Sequence, residues 1–171
     1  MRSFLSALAL AAAFFVAAPA QAQFANHGLG LSAGYMNFND TASLHGTGFL
    51  GLDASLYLEN GFELVSLTKL VFPVDSLTGQ RVVGLAPSLG FRYLFLEESI
   101  RPYLGADLSF LHVFKEQGEQ NFFGVGPNAG VELFVSDSIS VGARAQLNAY
   151  LSLTEKVQTS LILSAGTAVY F

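Results

Sequence analysis

Beyond residue 23, apolar and polar residues alternate with a period of two almost without interruption. That is the pattern of a strand with two chemically different faces. From Ile139 to Leu151 one face reads Ile139, Val141, Ala143, Ala145, Leu147, Ala149 and Leu151, the other Ser140, Gly142, Arg144, Gln146, Asn148 and Tyr150. The last segment sets Leu161, Leu163, Ala165, Thr167, Val169 and Phe171 against Ser160, Ile162, Ser164, Gly166, Ala168 and Tyr170. Near the start, Leu29, Leu31, Ala33 and Tyr35 oppose Gly28, Gly30, Ser32 and Gly34, and Leu50 to Leu58 alternate with Gly51, Asp53, Ser55 and Tyr57. The alternation predicts eight strands, over 28–38, 48–58, 62–72, 82–95, 102–114, 122–135, 139–152 and 159–171. In the third, Val65, Leu67 and Val71 blur the two faces.

The connections between these segments alternate in length. Segments 39–47, 73–81, 115–121 and 153–158 are longer and polar, while Glu59-Asn60-Gly61, Glu97-Glu98-Ser99 and Ser136-Asp137-Ser138 are tight. Asn-Gly is the strongest short hairpin signal. Long loops at one end and short turns at the other predict an up-and-down barrel, with both termini at the turn end. Pro87 and Pro127 fall inside two of the predicted strands, where each deletes a ladder hydrogen bond. They are expected to mark bulges.

The first residues break the pattern. Met1-Arg2-Ser3 carries one positive charge, Phe4 to Ala18 is almost wholly apolar, and small residues follow through Ala22. This is the three-part layout of a secretory signal, and the apolar part is shorter than the roughly 20 residues of a membrane-spanning helix. The expectation is a signal peptide over 1–22, cleaved after Ala22 or Ala20, and a barrel domain over 23–171.

Composition decides what solvent surrounds the barrel. Hydrophobic residues make up 51% of the chain, mean hydropathy is +0.46, and only 12% of residues are charged, against roughly 25% in soluble domains. No long uncharged apolar run follows residue 23, so the backbone of a membrane-embedded chain would have to be satisfied by a closed β-barrel. The Leu/Val/Ala/Phe face suits lipid, and the Gly/Ser/Asn face suits the narrow interior of eight strands, which side chains fill. The fold expected is an eight-stranded antiparallel up-and-down transmembrane β-barrel. Phe62, Tyr93 and Phe95 at the turn end, with Phe72, Phe110 and Phe123 at the loop end, are placed to form interfacial girdles.

Charge removes one class of partner. Cleavage after Ala22 would leave 7 basic against 13 acidic residues, a net charge of about −6, with no Lys/Arg cluster; nucleic-acid binding requires a basic footprint. There is no cysteine, and no His/Cys/Asp grouping has metal-ligand spacing, so no metal or cofactor is expected. On the enclosed face lie four acids, Asp53, Glu63, Asp107 and Glu132, and three bases, Lys69, Arg92 and Arg144. In a narrow interior these are expected to pair into a plug, because an unpaired buried charge is costly.

The alternating strands, Gly90-Phe91-Arg92-Tyr93-Leu94-Phe95, Arg101-Pro102-Tyr103-Leu104-Gly105-Ala106 and the ending Ala168-Val169-Tyr170-Phe171 resemble small outer-membrane barrels of the OmpA, OmpW, OmpX and opacity type. The resemblance spans the chain beyond the signal segment. It implies a location in the outer membrane of a Gram-negative bacterium, contact with its lipid, and assembly by the barrel assembly machinery reading Val169, Tyr170 and Phe171. It does not imply one activity, since a fold of this kind hosts anchors, adhesins, channels and a few enzymes. The deacylase relatives would need serine two residues after a strand histidine, but Phe114 stands two residues after His112. The function expected is therefore non-enzymatic, structural or surface-interacting, with an unknown surface ligand. The alternatives are a narrow channel or a transporter for small or apolar molecules, and after that a lipid-modifying enzyme.

Overall fold

The computed structural model describes residues 26–39, 44–75, 78–96, 99–115, 120–151 and 157–171. The expected signal segment 1–22, residues 23–25, the Glu97-Glu98 turn residues and parts of all four long loops lie outside the described residues. Ten strands are present: β1 (His27–Phe38), β2 (Leu44–His45), β3 (Thr47–Tyr57), β4 (Phe62–Val71), β5 (Val74–Asp75), β6 (Val83–Leu94), β7 (Ile100–Phe114), β8 (Gln120–Phe134), β9 (Ile139–Leu151) and β10 (Gln158–Tyr170). Eight of them form a closed antiparallel barrel in the order β1-β10-β9-β8-β7-β6-β4-β3. The predicted strands match these eight to within about two residues at each end.

Closure is made by the first and last strands. β1 and β10 pair continuously from Gly28↔Tyr170 to Phe38↔Ser160, and the seam is finished by mutual backbone bonds between His27 and Phe171 (Phe171 N donating at 2.9 Å and His27 N at 3.3 Å). No strand edge is left facing hydrocarbon, which is what a membrane interior demands of a sheet. At the turn end, Asn60 (φ 54°) and Gly61 (φ 81°) both occupy the left-handed region. The Asn-Gly pair tolerates that region, and a two-residue primed turn requires it.

The two faces of each strand separate as the alternation predicts. Leu31, Leu50, Leu52, Leu108, Phe123, Leu147 and Leu163 stand out on the exterior. Aromatic pairs stand at both ends of that wall: Phe62–Tyr93 and Tyr93–Phe95 at the turn end, with centroids 5.1 and 5.4 Å apart, and Phe110–Phe123 at the loop end, 5.0 Å apart. Val65, Leu67 and Val71, which blurred the third predicted strand, all point inward. The polar residues on the outer face of β4 are consequently Ser66 and Thr68.

Two expectations need correcting. The prolines are not bulges. The β6–β7 register is the same on either side of Pro87 (Leu85↔His112, then Ser88↔Ser109), and the β8–β9 register is the same on either side of Pro127 (Val125↔Ala149, then Asn128↔Gln146). No residue is inserted. Each proline simply drops out of one ladder while pairing on its other side continues, as Thr68↔Pro87 and Ala106↔Pro127. The second correction concerns the loop at 39–47 and the loop at 73–81. Each contributes a two-residue strand, and these pair as Leu44↔Asp75 and His45↔Val74.

Gly126 shows what a missing ladder bond does nearby. With no N–H at Pro127 opposite Leu147, the Leu147 carbonyl crowds the inner side of Gly126, and a Cβ there would overlap that carbonyl. Gly126→Ala is expected to force β8 and β9 apart, at about 1–3 kcal/mol as for other overpacking changes. The check is urea unfolding in detergent followed by far-UV circular dichroism, since the chain has no tryptophan. Gly142→Ala, where a Cβ would meet its nearest neighbour at 3.1 Å, serves as the milder control.

Candidate functional site: the barrel lumen

Inward-facing side chains divide the lumen into layers, and the layers follow from which residue each strand places at each height. On β1, β3, β9 and β10 most turn-end inward positions are small (Gly28, Gly30, Ser32, Ser55, Ser140, Gly142, Ser164 and Gly166), with Asp53, Arg144 and Tyr170 as the exceptions. The facing wall, from β4, β6, β7 and β8, supplies large charged or aromatic side chains. A narrow barrel can hold such side chains only if the opposite wall is small.

In the turn-end layer the Glu63 carboxylate accepts from Arg92 Nε at 2.5 Å. A second nitrogen of Arg92 lies 3.5 Å from Glu132, and the guanidinium stacks on the Tyr103 ring at 4.4 Å. Glu132 Oε1 accepts from the Tyr170 hydroxyl and from Ser140 Oγ, each at 2.6 Å. This layer ties together β4, β6, β7, β8, β9 and β10. In the middle layer Asp107 Oδ2 accepts from Arg144 at 2.5 Å and from Asn128 at 2.7 Å. Above it, Gln146 donates to Asn148, which donates in turn to Ser109 and Tyr150, all at 3.0 Å.

All seven charged residues named from the sequence thus lie inside. Glu63, Lys69, Asp107 and Glu132 are buried, and the side chains of Arg92 and Arg144 are only 11% and 10% exposed. Arg92 joins Glu63 and Glu132, and Arg144 joins Asp107. Two do not pair. Lys69 Nζ has no hydrogen-bond partner, although it lies within electrostatic reach of Asp107, Asp53 and Arg144. Asp53 lines a cavity and makes no ion pair among the described residues. That cavity, about 80 Å³ and half-open, runs along the small-residue wall past Arg92, Glu132 and Arg144 to Gly28 and Tyr170 at the turn end.

The loop end of the lumen is apolar, a feature the sequence reading missed. Met36, Phe38, Leu44, Phe49, Val71, Ala86, Leu111, Val113, Phe122, Tyr150 and Ile162 form one buried cluster. The periodicity does hold the signal, because these residues occupy the enclosed parity of each strand near its loop end. Leu44 comes from β2, which β5 holds across the mouth, and Asp75 of β5 bridges Lys115 at 3.4 Å.

The remaining candidates stand apart from the lumen. His112 points outward, with Nδ1 2.6 Å from Asn121 Oδ1 and an edge contact with Phe114, whereas Ser109 is buried inside. Among the described residues, no grouping of His, Cys, Asp or Glu could hold a metal. At the C-terminus Tyr170 points into the lumen network, while Phe171 lies outside, half exposed and stacked on His27 at 6.2 Å.

A closed eight-stranded barrel with an apolar exterior and a charged lumen admits comparison with known proteins. The family model of the outer membrane protein beta-barrel domain matches residues 6–167. The chain belongs to that family. Membership implies a bacterial outer-membrane location. Among solved structures, this outer-membrane barrel is similar to Neisserial surface protein A, with 21% identity over 85% of this chain and 97% of that one and a TM-score of 0.68. It is also similar to the N-terminal barrel of Pseudomonas aeruginosa OprF (20% identity, 84% and 97% covered, TM-score 0.57). The attachment invasion locus protein Ail of Yersinia pestis, solved with the heparin analogue sucrose octasulfate, shares 11% identity over 85% and 99% of the two chains, TM-score 0.51. Likenesses at these identities establish the fold. No curated protein matches by sequence.

The turn-end layer gives a direct test of how the charges hold the barrel. Arg92→Leu leaves Glu63 and Glu132 enclosed without their cation and is expected to destabilise by about 3–5 kcal/mol. Replacing all three with Arg92→Leu, Glu63→Gln and Glu132→Gln together is expected to cost markedly less. The temperature at which the compact gel species converts to the unfolded one, measured for both variants, checks the order.

Proposed function

We propose that this chain is a non-enzymatic structural barrel of the outer membrane, closed to solutes and presenting its short long-loop end to the exterior. The observation that carries this reading is the apolar cluster of the loop end. The cavity that starts at the turn end is lined no higher on β9 than Arg144, and between it and that cluster lie the buried, hydrogen-bonded Gln146 and Asn148. A closely packed apolar layer opposes ion passage, because an ion cannot shed its water there without replacement ligands. A channel reading would require that layer to part. An enzymatic reading would require a nucleophile beside a base, and His112 faces away from Ser109 with Asn121 as its partner. Of surface ligands, a sulfated polyanion of the kind bound to Ail suits this chain poorly, given its acidic balance and the engagement of Lys115 by Asp75 at the mouth.

On this reading residues 1–22 are the export signal, and the turn end with both termini faces the periplasm. Val169, outward on β10, and Phe171 just beyond it are the residues the assembly machinery meets, facing outer-membrane lipid afterwards. Tyr170 serves the lumen instead.

Planar-bilayer recordings are expected to show no steps above the empty-membrane background for the native barrel. Phe122→Ala combined with Tyr150→Ala removes the two most deeply buried rings of the apolar cluster and is expected to produce conductance steps. Steps of similar size from the native protein would reject the closed reading. Phe171→Ala is expected to lower the assembled fraction several-fold in cells while barely changing the unfolding temperature of barrels refolded in detergent. Unboiled gel migration measures both.

A further inference from the structure

The outer mouth carries a small structure of its own. β2 and β5 pair as Leu44↔Asp75 and His45↔Val74. Beyond β5 the chain turns at Gly79, which sits in the left-handed region at φ 67°, and comes back beside it. Val74 bridges Arg81, Asp75 N donates to Gln80 O at 2.9 Å, and Gly79 N donates to Asp75 O at 2.8 Å. Two loops thus make one sheet-like patch. Residues directly opposite in a ladder share a face, so Leu44 and Asp75 look the same way. Both are buried, 1% and 5% exposed, whereas His45 on the other face is exposed. The buried face is turned down onto the barrel, since Leu44 belongs to the apolar cluster of the loop end.

Side chains fasten this patch. Among the described residues, the backbone bonds of 44–45 and 74–75 run to one another and to 79–81 of the same loop. Two side-chain attachments reach the barrel. One is the seat of Leu44 in the apolar cluster. The other is the ion pair of Asp75 with Lys115, 3.4 Å apart with both side chains 8% exposed, and Lys115 directly follows Phe114, the last residue of β7. The second attachment has a direction built into it. The carboxylate is on the patch and the ammonium is on the barrel, and they meet on the covered side. Without Lys115 the Asp75 carboxylate would be enclosed with its cation gone, which is costly. Its relief is to move outward to water, and Leu44, its ladder partner, moves with it.

We infer that the β2–β5 patch is a lid over the outer mouth, latched by Asp75 to Lys115, and that releasing the latch lifts it as a unit and uncovers the apolar layer beneath. The inference concerns access to that layer from outside and stands apart from whether the barrel conducts.

The chain has no cysteine, so a single introduced thiol reports on access. Met36→Cys places it in the apolar layer, where Met36 is fully buried, and His45→Cys places it on the outer face of the lid. A polar maleimide is added to each folded barrel in neutral detergent. The His45→Cys thiol is expected to react at once, and the Met36→Cys thiol far more slowly. Adding Lys115→Ala to Met36→Cys is expected to speed labelling about tenfold or more, because labelling of a covered site follows the population of the open form. Lys115→Arg is expected to keep the protection, and the exchange of Asp75→Lys with Lys115→Asp to restore most of it. The unfolding temperature, read by gel migration, is expected to change little in Lys115→Ala. Equal reactivity of Met36→Cys and His45→Cys with Lys115 in place would overturn the inference, since nothing would then cover the layer. So would an unchanged rate in Lys115→Ala, or a rate that rises only in step with a falling unfolding temperature, which would mean that the whole barrel had loosened. Should Met36→Cys fail to fold, Val113→Cys, equally buried in the same layer, takes its place; should the charge exchange fail to fold, Lys115→Ala against Lys115→Arg decides the matter.

Discussion

The β1–β10 seam is the constraint from which the rest of this molecule follows. In hydrocarbon an unpaired N–H or C=O has no water to turn to, and a sheet can end only by meeting itself. Residues Gly28 to Phe38 and Ser160 to Tyr170 accomplish this with continuous pairing, and His27 and Phe171 are bonded to each other just beyond it. Closed with eight strands, the barrel has an interior only as wide as the side chains inside it. Every inward position is then a choice between filling space and leaving it. The glycines and serines of β1, β9 and β10 leave it, and Arg92, Tyr103, Glu132 and Arg144 enter from across the lumen or from the adjoining strand.

The charges inside are best understood as a consequence of that geometry. A wholly apolar lumen would make both faces of each strand alike, and the sequence would no longer specify which face meets lipid; a one-residue slip exchanges the faces completely. Enclosed acids and bases remove the ambiguity, because Glu63, Asp107 or Glu132 turned outward would meet hydrocarbon. The network also reaches across non-adjacent strands. Tyr170 on β10 bonds Glu132 on β8, and Arg92 on β6 reaches Glu132 across β7, so these contacts depend on the curvature that closing the sheet imposes. Lumen charge and barrel closure support one another.

Much of this was legible in the sequence, for a definite reason. Period-two alternation is a local property, and it placed all eight barrel strands and put every one of the seven charges on the enclosed face. The tight turns were legible too, since Asn60-Gly61 carries its own backbone conformation. The missed features are those that depend on height within the barrel or on the neighbour across a seam. Met36, Phe38 and Phe49 alternate like any inward residues, and nothing local marks them as converging with Leu111, Phe122 and Ile162 into one apolar layer. Pro87 and Pro127 were expected to bulge because a lost ladder bond was taken to need an extra residue. The registers show the strand tolerating the loss in place, with Gly126 yielding to the displaced Leu147 carbonyl. The pairing of β2 with β5 joins two loops far apart in the chain, and two residues on each side are too few to leave a pattern.

Polarity therefore changes along the barrel axis as well as across its wall. At the turn end small residues and charges leave a recess; at the loop end rings and branched chains pack into one buried cluster, with Leu44 set over them by the β2–β5 pair. A uniform polar lumen would be a leak once its ion pairs exchanged, and a uniform apolar one would lose the charges that set the register. Dividing the two along the axis keeps both properties. The apolar layer needs only the outer third of the strands, and the charged layers sit where they can span the greatest number of strands, next to the last residues to join the sheet. Tyr170 belongs to that lower layer by its hydroxyl and to the closing strand by its backbone. The step that completes the wall is therefore the same step that completes the lumen.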